Sequence, residues 1–315
     1  RAHSWRSMWE TVDRRRRRGG PARGAHPRAA AVPATAVVGE PRGPADPVAV
    51  AAAAASAVER VRGRAAELRG SQLSEVALAA VREACREASA GASEPAIGRV
   101  LCLGVGSVEV SAASSWQLAL ALMLAEELGV EERAWADPQM RAADEAAGTA
   151  LGFKREPEAA VESHAAAGDG PEVLLLYMPH CDRMLYEQVL SANVPALPRE
   201  GEEPEAPSGG APPLARVVLI GNSFEVYAER DELGLVPEGT PGAPSAGSLL
   251  RRLRPCTRER ALPDFGPCPE AFNDLAVLAF PRTLLESGAW RAPACGGDGA
   301  PAAAAGQAEG RGGRR

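Results

Sequence analysis

The sequence predicts an α/β fold with a doubly wound, mostly parallel sheet, and two observations favour this class. Short apolar runs alternate along the chain with segments of helical periodicity. The segments RVLCLGVGS, ERAWADP, EVLLLYMPH and ARVVLIGNS each contain one such run. The strands predicted within them end at Gly104, Asp137, His180 and Asn222. Apolar runs without polar alternation are typical of parallel strands that are buried on both faces. Helices are therefore expected on both sides of the sheet.

A helix is predicted after each of these strands. The four helices cover residues 115–128, 139–151, 182–193 and 223–233. Ser114 and Gln117 fit a capping box at the start of the first helix. Upstream, apolar residues at helical spacing predict two further helices, 48–69 and 71–89, which are separated at Gly70.

The composition predicts one folded domain between two polar ends. In chain order, we expect a disordered basic arm at 1–47, a helical lead-in at 48–98, an α/β domain at 99–291 and a disordered tail at 292–315. The domain carries Pro-rich insertions at 198–213 and 237–269. The length of the second insertion suggests either a lid or disorder.

The charge is unevenly distributed. Residues 1–48 hold ten arginines against four acids, whereas the rest of the chain holds 25 basic and 37 acidic residues. This acidic body argues against a domain that grips nucleic acid through its phosphates. The basic run from Arg14 to Arg18 has three interpretations: a nuclear-import or anion-binding patch, a solvated arm, or part of a transit peptide.

Neither a membrane anchor nor a metal centre is predicted. No stretch approaches the 18 or more apolar residues of a membrane span. The six cysteines form no C-x-x-C pair, and with four histidines they make no credible zinc site. We expect a soluble protein with reduced thiols, in the cytoplasm, the nucleus or both.

The strand ends predict a ligand site, because ligands of open parallel sheets bind beyond the carboxyl ends of the strands. The residues expected to share this edge are Gly104, Gly106, Ser107, Asp137, His180, Asn222 and Ser223. Asn273 and Asp274 precede the last strand, so a parallel strand would place them at the opposite edge. An antiparallel last strand, as in methyltransferase-type sheets, would bring them to His180, and this is the arrangement that we predict.

The first two strand ends each have a functional and a structural interpretation. The glycines of GVGS allow a close backbone approach to a ligand, but Glu109 stands where a G-x-G-x-x-G fingerprint has its third glycine. A tight turn that feeds a helix is the alternative. Asp137, 33 residues after Gly104, stands where a nucleotide binder would hold a ribose hydroxyl. An Asp-Pro turn explains it equally well.

Later strand ends carry possible catalytic groups. His180 is the candidate for proton transfer or hydrogen bonding, and a histidine anchored to a nearby carbonyl is the alternative. Cys181 would be a nucleophile only if its thiolate were stabilised. GNSFE resembles a nucleophile elbow, but Glu225 replaces its second glycine and no histidine follows Ser223. Two interpretations of this segment are left. Asn222 and Glu225 match an N-terminal helix cap, and Asn222 and Ser223 could form an anion-binding turn.

Several blocks carry a family resemblance. LGVGS, WQLAL, ADP, YMPHC, LYEQVLSAN, LIGNSF and FNDLAVLAFP occur in order over residues 99–282. This set resembles the sensitivity-to-red-light-reduced family, or SRR-like domain. The resemblance marks Gly104, Gly106, Ser107, Asp137, Pro179, His180, Asn193, Gly221, Asn222, Ser223, Asn273 and Asp274 as family positions.

What the resemblance implies is a process rather than a reaction. The family is associated with the circadian clock and red-light signalling in plants, and with clock and haem-synthesis regulation in animals. The first hypothesis is therefore a regulatory protein whose Rossmann-like site binds a protein partner or a small-molecule ligand. The second is an S-adenosylmethionine-dependent methyltransferase-like enzyme, with LGVGS near the methionine part and Asp137 on the ribose. Hydrolysis at His180 is a third idea, but it lacks a metal-binding set.

Overall fold

The structure is a computed structural model, and it describes residues 46–88, 96–157, 172–195, 212–235 and 248–291. The predicted basic arm up to residue 45, the predicted tail, and residues 198–211 and 237–247 of the insertions lie outside the described residues. Arg14 to Arg18 therefore lie outside them as well.

Helices and strands alternate as predicted. The helices are α1 (Pro47–Leu68), α2 (Gln72–Ala88), α3 (Ala112–Glu127), α4 (Ala142–Ala150), α5 (Arg183–Asn193), α6 (Phe224–Glu232), α7 (Leu249–Leu253), α8 (Pro269–Phe272) and α9 (Arg282–Glu286). The strands are β1 (Ile97–Leu103), β2 (Glu132–Ala136), β3 (Lys154–Arg155), β4 (Val173–Met178), β5 (Val217–Asn222), β6 (Arg258–Ala261) and β7 (Leu275–Ala279).

The strands form one sheet in the order β3-β2-β1-β4-β5-β7-β6. The pairs from β3 to β5 are parallel, whereas β7 runs antiparallel to both of its neighbours. The doubly wound, mostly parallel sheet with an antiparallel last strand is thus confirmed. The chain leaves β1 toward β2 and later returns to β4, so the switch point where such sheets bind ligands lies between β1 and β4.

Strand β4 shows why its apolar run is continuous. Val173, Leu175 and Tyr177 pack into the core on one face of the sheet, while Leu174, Leu176 and Met178 pack into the core on the other face. Successive side chains of a strand point to opposite faces. A strand that is covered on both sides therefore needs an apolar residue at every position.

The two N-terminal helices belong to the first of these cores. Helix α1 packs on α3 and α4, and α2 packs on β7. Gly70 lies between the two helices with a left-handed φ of 77°. Because α3 is covered by α1 and by the sheet, every residue from Ser114 to Ala125 is buried. This burial explains why α3 lacks the polar stripe of a surface helix.

Two local expectations differ from the structure. Helix α3 begins at Ala112, and its cap is Ser111, whose side chain accepts a hydrogen bond from the Ser114 N–H. The predicted capping box of Ser114 and Gln117 is therefore wrong, because the cap lies three residues earlier, at Ser111. In addition, sequence reasoning predicted neither β3 nor β6, which form the two edges of the sheet, and β6 lies within the second Pro-rich insertion.

A glycine on β5 provides a test of the packing between β5 and α5. A Cβ atom at Gly221 would overlap the Tyr186 hydroxyl and lie 3.2 Å from the Met178 carbonyl oxygen. Gly221→Ala is therefore expected to lower the free energy of unfolding by about 1–3 kcal/mol through overpacking. Urea denaturation measures this loss. Gly266→Ala is the control, since a Cβ there meets open space, and an equal effect of both changes would contradict the prediction.

Candidate functional site

The structure separates the predicted site residues into two groups. Gly104, Gly106, Ser107 and Asp137 belong to a loop after β1 and to the end of β2. His180, Asn222, Ser223, Asn273 and Asp274 line one open pocket beyond the ends of β4 and β5. The first group does not line that pocket.

The loop after β1 is held by Asp137. One carboxylate oxygen of Asp137 accepts the Gly106 N–H at 2.7 Å, and the other accepts the Gln139 N–H at 2.7 Å. Gly104 and Gly106 have left-handed φ values of 69° and 82°. A Cβ at Gly106 would lie 2.7 Å from the Ser114 hydroxyl oxygen. Glycine is required at Gly106 by the turn and by close packing against α3.

Further bonds close this loop. The Glu109 N–H donates to Asp144 at 2.8 Å, and the Val108 carbonyl accepts from Ser115 at 3.0 Å and from Arg60 of α1 at 3.0 Å. Ser107 and Val108 are buried. The loop is therefore packed into the protein and bonded to the neighbouring helices, although the buried Ser107 hydroxyl has no hydrogen-bond partner among the described residues.

Burial also sets the ionisation of Asp137. Its side chain is nearly inaccessible, and this burial raises the pKa of Asp137 to about 6. The hydrogen bonds from the Gln139 and Gly106 N–H groups oppose the increase, because they favour the charged form. Desolvation therefore exceeds hydrogen bonding at this carboxylate.

The open pocket, called here the β4–β5 pocket, is a cavity of about 300 Å³. Its lining residues are His180, Cys181, Asp182, Asn222, Ser223, Val226, Tyr227, Arg230, Asn273 and Asp274. They come from the ends of β4 and β5, from α6, and from the start of β7. The antiparallel direction of β7 brings Asn273 and Asp274 to this edge, as the sequence predicted.

Asn222 connects the strand ends at the base of the pocket. Its Oδ1 accepts the His180 N–H at 3.0 Å, and its Nδ2 donates to the Cys181 carbonyl at 3.1 Å and to the Tyr227 hydroxyl at 2.7 Å. Its own N–H donates to the Tyr186 hydroxyl at 2.6 Å, which in turn donates to the Met178 carbonyl at 2.7 Å. One asparagine thus fixes the turn after β4 against the end of β5.

Two residues of this pocket have a left-handed backbone without being glycine. His180 has a φ of 54° and Asp274 a φ of 59°, and among the described residues no other non-glycine residue has a positive φ. Asp274 is held by its carbonyl, which accepts the Ser223 N–H at 2.8 Å, and by an ion pair of its carboxylate with Arg230 at 2.7 Å. Such conformations cost about 1–3 kcal/mol and persist where the surroundings enforce them.

The imidazole of His180 is anchored to the backbone. Its Nε2 lies 3.2 Å from the carbonyl oxygen of Ala271, and the same oxygen accepts a hydrogen bond from the Gln117 side chain at 3.0 Å. Helix α8 supplies this carbonyl. The structure therefore matches the alternative of a histidine bound to a nearby carbonyl.

Cys181 and Ser223 are also engaged in the fold. The Cys181 thiol is buried, donates to the Leu103 carbonyl, and has a pKa raised well above its ordinary value by that burial. Ser223 caps α6 by accepting the Val226 N–H at 3.0 Å, and Glu259 accepts the Phe224 N–H at 3.0 Å. Neither residue is an activated nucleophile, and a carboxylate of the chain already occupies the N-terminus of α6.

Sequence reasoning missed several pocket residues, although a signal for some of them was present. A helix that begins after Ser223 places Val226, Tyr227 and Arg230 on the side of that cap, because residues three and four apart share a helix face. Asp182 was recognised as a helix cap, and it accepts the Leu185 N–H at 2.9 Å. Its place at the rim of a pocket follows from the turn at His180, which the sequence does not specify.

In the ranges that the structure covers, no group of three or more His, Cys, Asp or Glu side chains is placed to hold a metal ion. Within the same ranges, no helix is long and apolar enough to cross a membrane.

The fold and the edge pocket define a Rossmann-like α/β domain with a polar site beyond its strand ends. The chain belongs to the SRR1 domain family, because the family model matches residues 72–279, which is about two thirds of its length. This confirms the resemblance seen in the sequence. Comparison with curated proteins gave no match, and neither did comparison with solved structures.

Asp137 gives a prediction on pH dependence. Its pKa is about 6 in the folded protein and about 3.9 in an unfolded chain, so the folded state binds more protons between these values. Its contribution to stability is full below about pH 4 and is lost as the pH rises through about 6. At about 1.4 kcal/mol per unit, this loss is at most about 3 kcal/mol.

The comparison is between wild type and Asp137→Asn, in which this position does not titrate. Chemical denaturation at several pH values should show the wild type losing stability relative to Asp137→Asn between about pH 4 and pH 6. All other titrating groups are common to the two proteins. Parallel pH profiles would mean that the carboxyl group titrates as in an unfolded chain.

The left-handed backbone at His180 gives a second prediction. His180→Gly is expected to be more stable than His180→Ala by about 1 kcal/mol, because alanine is strained at positive φ and glycine is not. Both variants lose the imidazole contact, so this loss cancels. At Glu229, inside α6, the same pair of substitutions should give the opposite order. Thermal unfolding measures both differences, and an alanine preference at His180 would contradict the geometry.

Proposed function

We propose that this chain is a regulatory protein whose β4–β5 pocket binds a small ligand or a protein partner without turnover. The family resemblance directs this role to the regulation of the circadian clock, light signalling or haem synthesis. The cytoplasm, the nucleus or both are the proposed location, and no specific binding of nucleic acid is expected from the acidic body of the chain.

One observation carries the proposal: two strained residues line the same pocket. His180 and Asp274 both have left-handed backbones, and strain of this kind clusters at ligand sites and switches. Asn222 enforces the first conformation through the His180 N–H, and the Ser223 N–H enforces the second through the Asp274 carbonyl. A pocket whose shape is held before binding loses less entropy when a ligand enters.

Binding without reaction is supported by the state of the pocket's reactive groups. The Cys181 thiol is buried and bonded, the His180 ring contacts a carbonyl, and the Ser223 hydroxyl caps a helix. A serine or cysteine nucleophile is activated by an adjacent base, by a lowered pKa or by a metal ion. The contacts given above for the Cys181 thiol and the Ser223 hydroxyl are with backbone groups, and burial raises the pKa of Cys181.

The pocket has both signs of charge. Asp182 and Asp274 supply carboxylates, and Arg230 supplies a guanidinium that is about half exposed and paired with Asp274. An exposed ion pair of this kind contributes little to stability, about 0–1 kcal/mol. It can therefore exchange its partner for a charged group of a ligand at small cost.

The test is a screen of the full chain by thermal shift and calorimetry. The panel contains S-adenosylmethionine, S-adenosylhomocysteine, NAD, NADP, nucleotides and haem. Val226 lines the β4–β5 pocket and is half-buried, so Val226→Phe is expected to abolish binding of a genuine ligand by filling the space. Ala228→Phe is the matched control on the same helix, since Ala228 does not line this pocket.

The outcomes are distinct. A ligand that binds equally well to Val226→Phe contradicts the proposed position of the site, and a compound that is converted to product contradicts binding without turnover. If the whole panel is silent, the same two variants test the protein-partner form of the proposal by crosslinking in extracts. In that case Val226→Phe is expected to lose the crosslinked partner, whereas Ala228→Phe is expected to keep it.

A second candidate function is methyl transfer from S-adenosylmethionine, and the strand order favours it. The order β3-β2-β1-β4-β5-β7-β6 with β7 antiparallel is that of methyltransferase-type sheets. Gly104 follows β1 and Asp137 follows β2, as a nucleotide site requires. Against it, both oxygens of Asp137 accept backbone N–H groups of the protein. Micromolar binding of S-adenosylmethionine that is lost in Asp137→Asn but kept in Val226→Phe would favour this enzyme.

A further inference from the structure

The ion pair of Arg230 and Asp274 lines the β4–β5 pocket and is open to solvent. The two side chains are 48% and 37% exposed. Arg230 lies on α6, and Asp274 lies directly before β7. A molecule in the pocket can therefore contact both charges. The inference drawn from this pair rests on the proposed function, because it names the class of ligand for the same pocket.

The ion pair uses only part of its bonding capacity. Arg230 Nη2 donates to Asp274 Oδ2 at 2.7 Å, and Asn273 Nδ2 lies 3.4 Å from the same oxygen. Within the described residues, Arg230 Nε and Nη1 and Asp274 Oδ1 make no hydrogen bond. A guanidinium has five N–H donors, and a carboxylate accepts through both oxygens. Free donors and a free acceptor are thus offered by two groups whose nearest atoms are 2.7 Å apart.

Asp274 is the fixed member of this pair. Its backbone is held at a φ of 59°, and its carbonyl accepts the Ser223 N–H at 2.8 Å. The Arg230 guanidinium, in contrast, stands at the end of a long side chain, and this one carboxylate is its hydrogen-bond partner among the described residues. Arg230 can therefore turn toward a bound molecule while Asp274 keeps its position.

We propose that the β4–β5 pocket binds an α-amino acid through its zwitterionic head group. The ammonium group of the ligand donates to Asp274, and its carboxylate accepts from Arg230. An α-amino acid carries both charges on one carbon atom, so its charges are neighbours, as are those of the ion pair. Each charge of the ligand then faces an opposite charge of the protein, and hydrogen bonds between ionised groups are the stronger kind.

The other charges around the pocket favour a head group without net charge. Besides the ion pair, Asp182 is the one Asp, Glu, Lys or Arg in the described lining, and the His180 ring contacts a backbone carbonyl. A ligand with only a carboxylate would meet two like charges, which is unfavourable. A ligand with only an ammonium group would leave Arg230 without a new partner. Behind the pocket, Arg183 and Asp231 neutralise each other.

The size and the walls of the pocket suit a small aliphatic amino acid. Its volume of about 300 Å³ lies at the lower end of the range for ligand pockets. Val226 and Tyr227 in the lining offer apolar surface to an aliphatic side chain. Leucine is therefore the probe. The same head group also occurs at one end of larger molecules such as S-adenosylmethionine.

The test compares leucine with 3-methylbutylamine, which lacks its carboxylate, and with 4-methylpentanoate, which lacks its ammonium group. Ligand-detected NMR titrations on the full chain give the three dissociation constants. Leucine is expected to bind about fivefold more tightly than the amine, a value near the upper limit for an exposed ion pair. The carboxylate is expected to bind most weakly. Equal binding of leucine and the amine, or no binding of leucine, would overturn the proposal.

Two variants assign the charges. Arg230→Gln should remove the preference for leucine over the amine, and Asp274→Asn should remove the preference over the carboxylate. Asparagine tolerates a left-handed backbone, so the second variant keeps the turn. Arg254→Gln is the matched control, because Arg254 pairs with Glu225 and does not line this pocket. A preference for leucine over the amine that survives Arg230→Gln would refute the role of the ion pair.

Val226→Phe separates this inference from the proposed function. Loss of leucine binding in Val226→Phe is expected if both hold. If leucine does not bind, but another compound of the screen binds to the wild type and not to Val226→Phe, the amino-acid inference fails and the proposed pocket stands. Binding of S-adenosylmethionine that Arg230→Gln weakens would identify the larger molecule as the source of the head group, whereas leucine binding alone would identify the free amino acid.

Discussion

The side-chain amide of Asn222 is the interaction on which the β4–β5 pocket depends. It accepts from the His180 N–H with its oxygen and donates to Cys181 and Tyr227 with its nitrogen. Aspartate could supply only the acceptor, and leucine could supply neither group. Because His180 has a left-handed backbone, its turn needs a bond from outside itself. Asparagine is the side chain that provides that bond and also ties β4 to α6.

The direction of β7 provides the other side of the pocket. Because β7 runs antiparallel to β5, the residue before it lies at the carboxyl ends of the parallel strands. The Asp274 carbonyl can therefore accept the Ser223 N–H where α6 begins. Its carboxylate then reaches Arg230, two turns along the same helix. A parallel last strand would have left the start of α6 without this support.

The sequence predicted the edge of the sheet better than it predicted the site. Buried strands end where apolar runs end, so the strand ends and five of the ten residues that line the β4–β5 pocket were accessible to pattern reasoning. Whether Asp137 faces a ligand or the Gly106 N–H depends on the path of the loop after β1, and loop paths leave no periodic pattern. Strand β6 was missed because RERA is short and mostly exposed at an edge.

Tyr227 forms a common wall of the β4–β5 pocket and of a second cavity between α5, α6 and α7. Its hydroxyl group accepts from Asn222 on the side of the β4–β5 pocket, while its ring lies under the guanidinium of Arg183 on the other side. Moving the ring would break a hydrogen bond at one end and a cation–π contact at the other. The common wall is therefore fixed from both sides. The packing of α5 and α6 around Tyr227 therefore holds the side of the β4–β5 pocket that this residue lines.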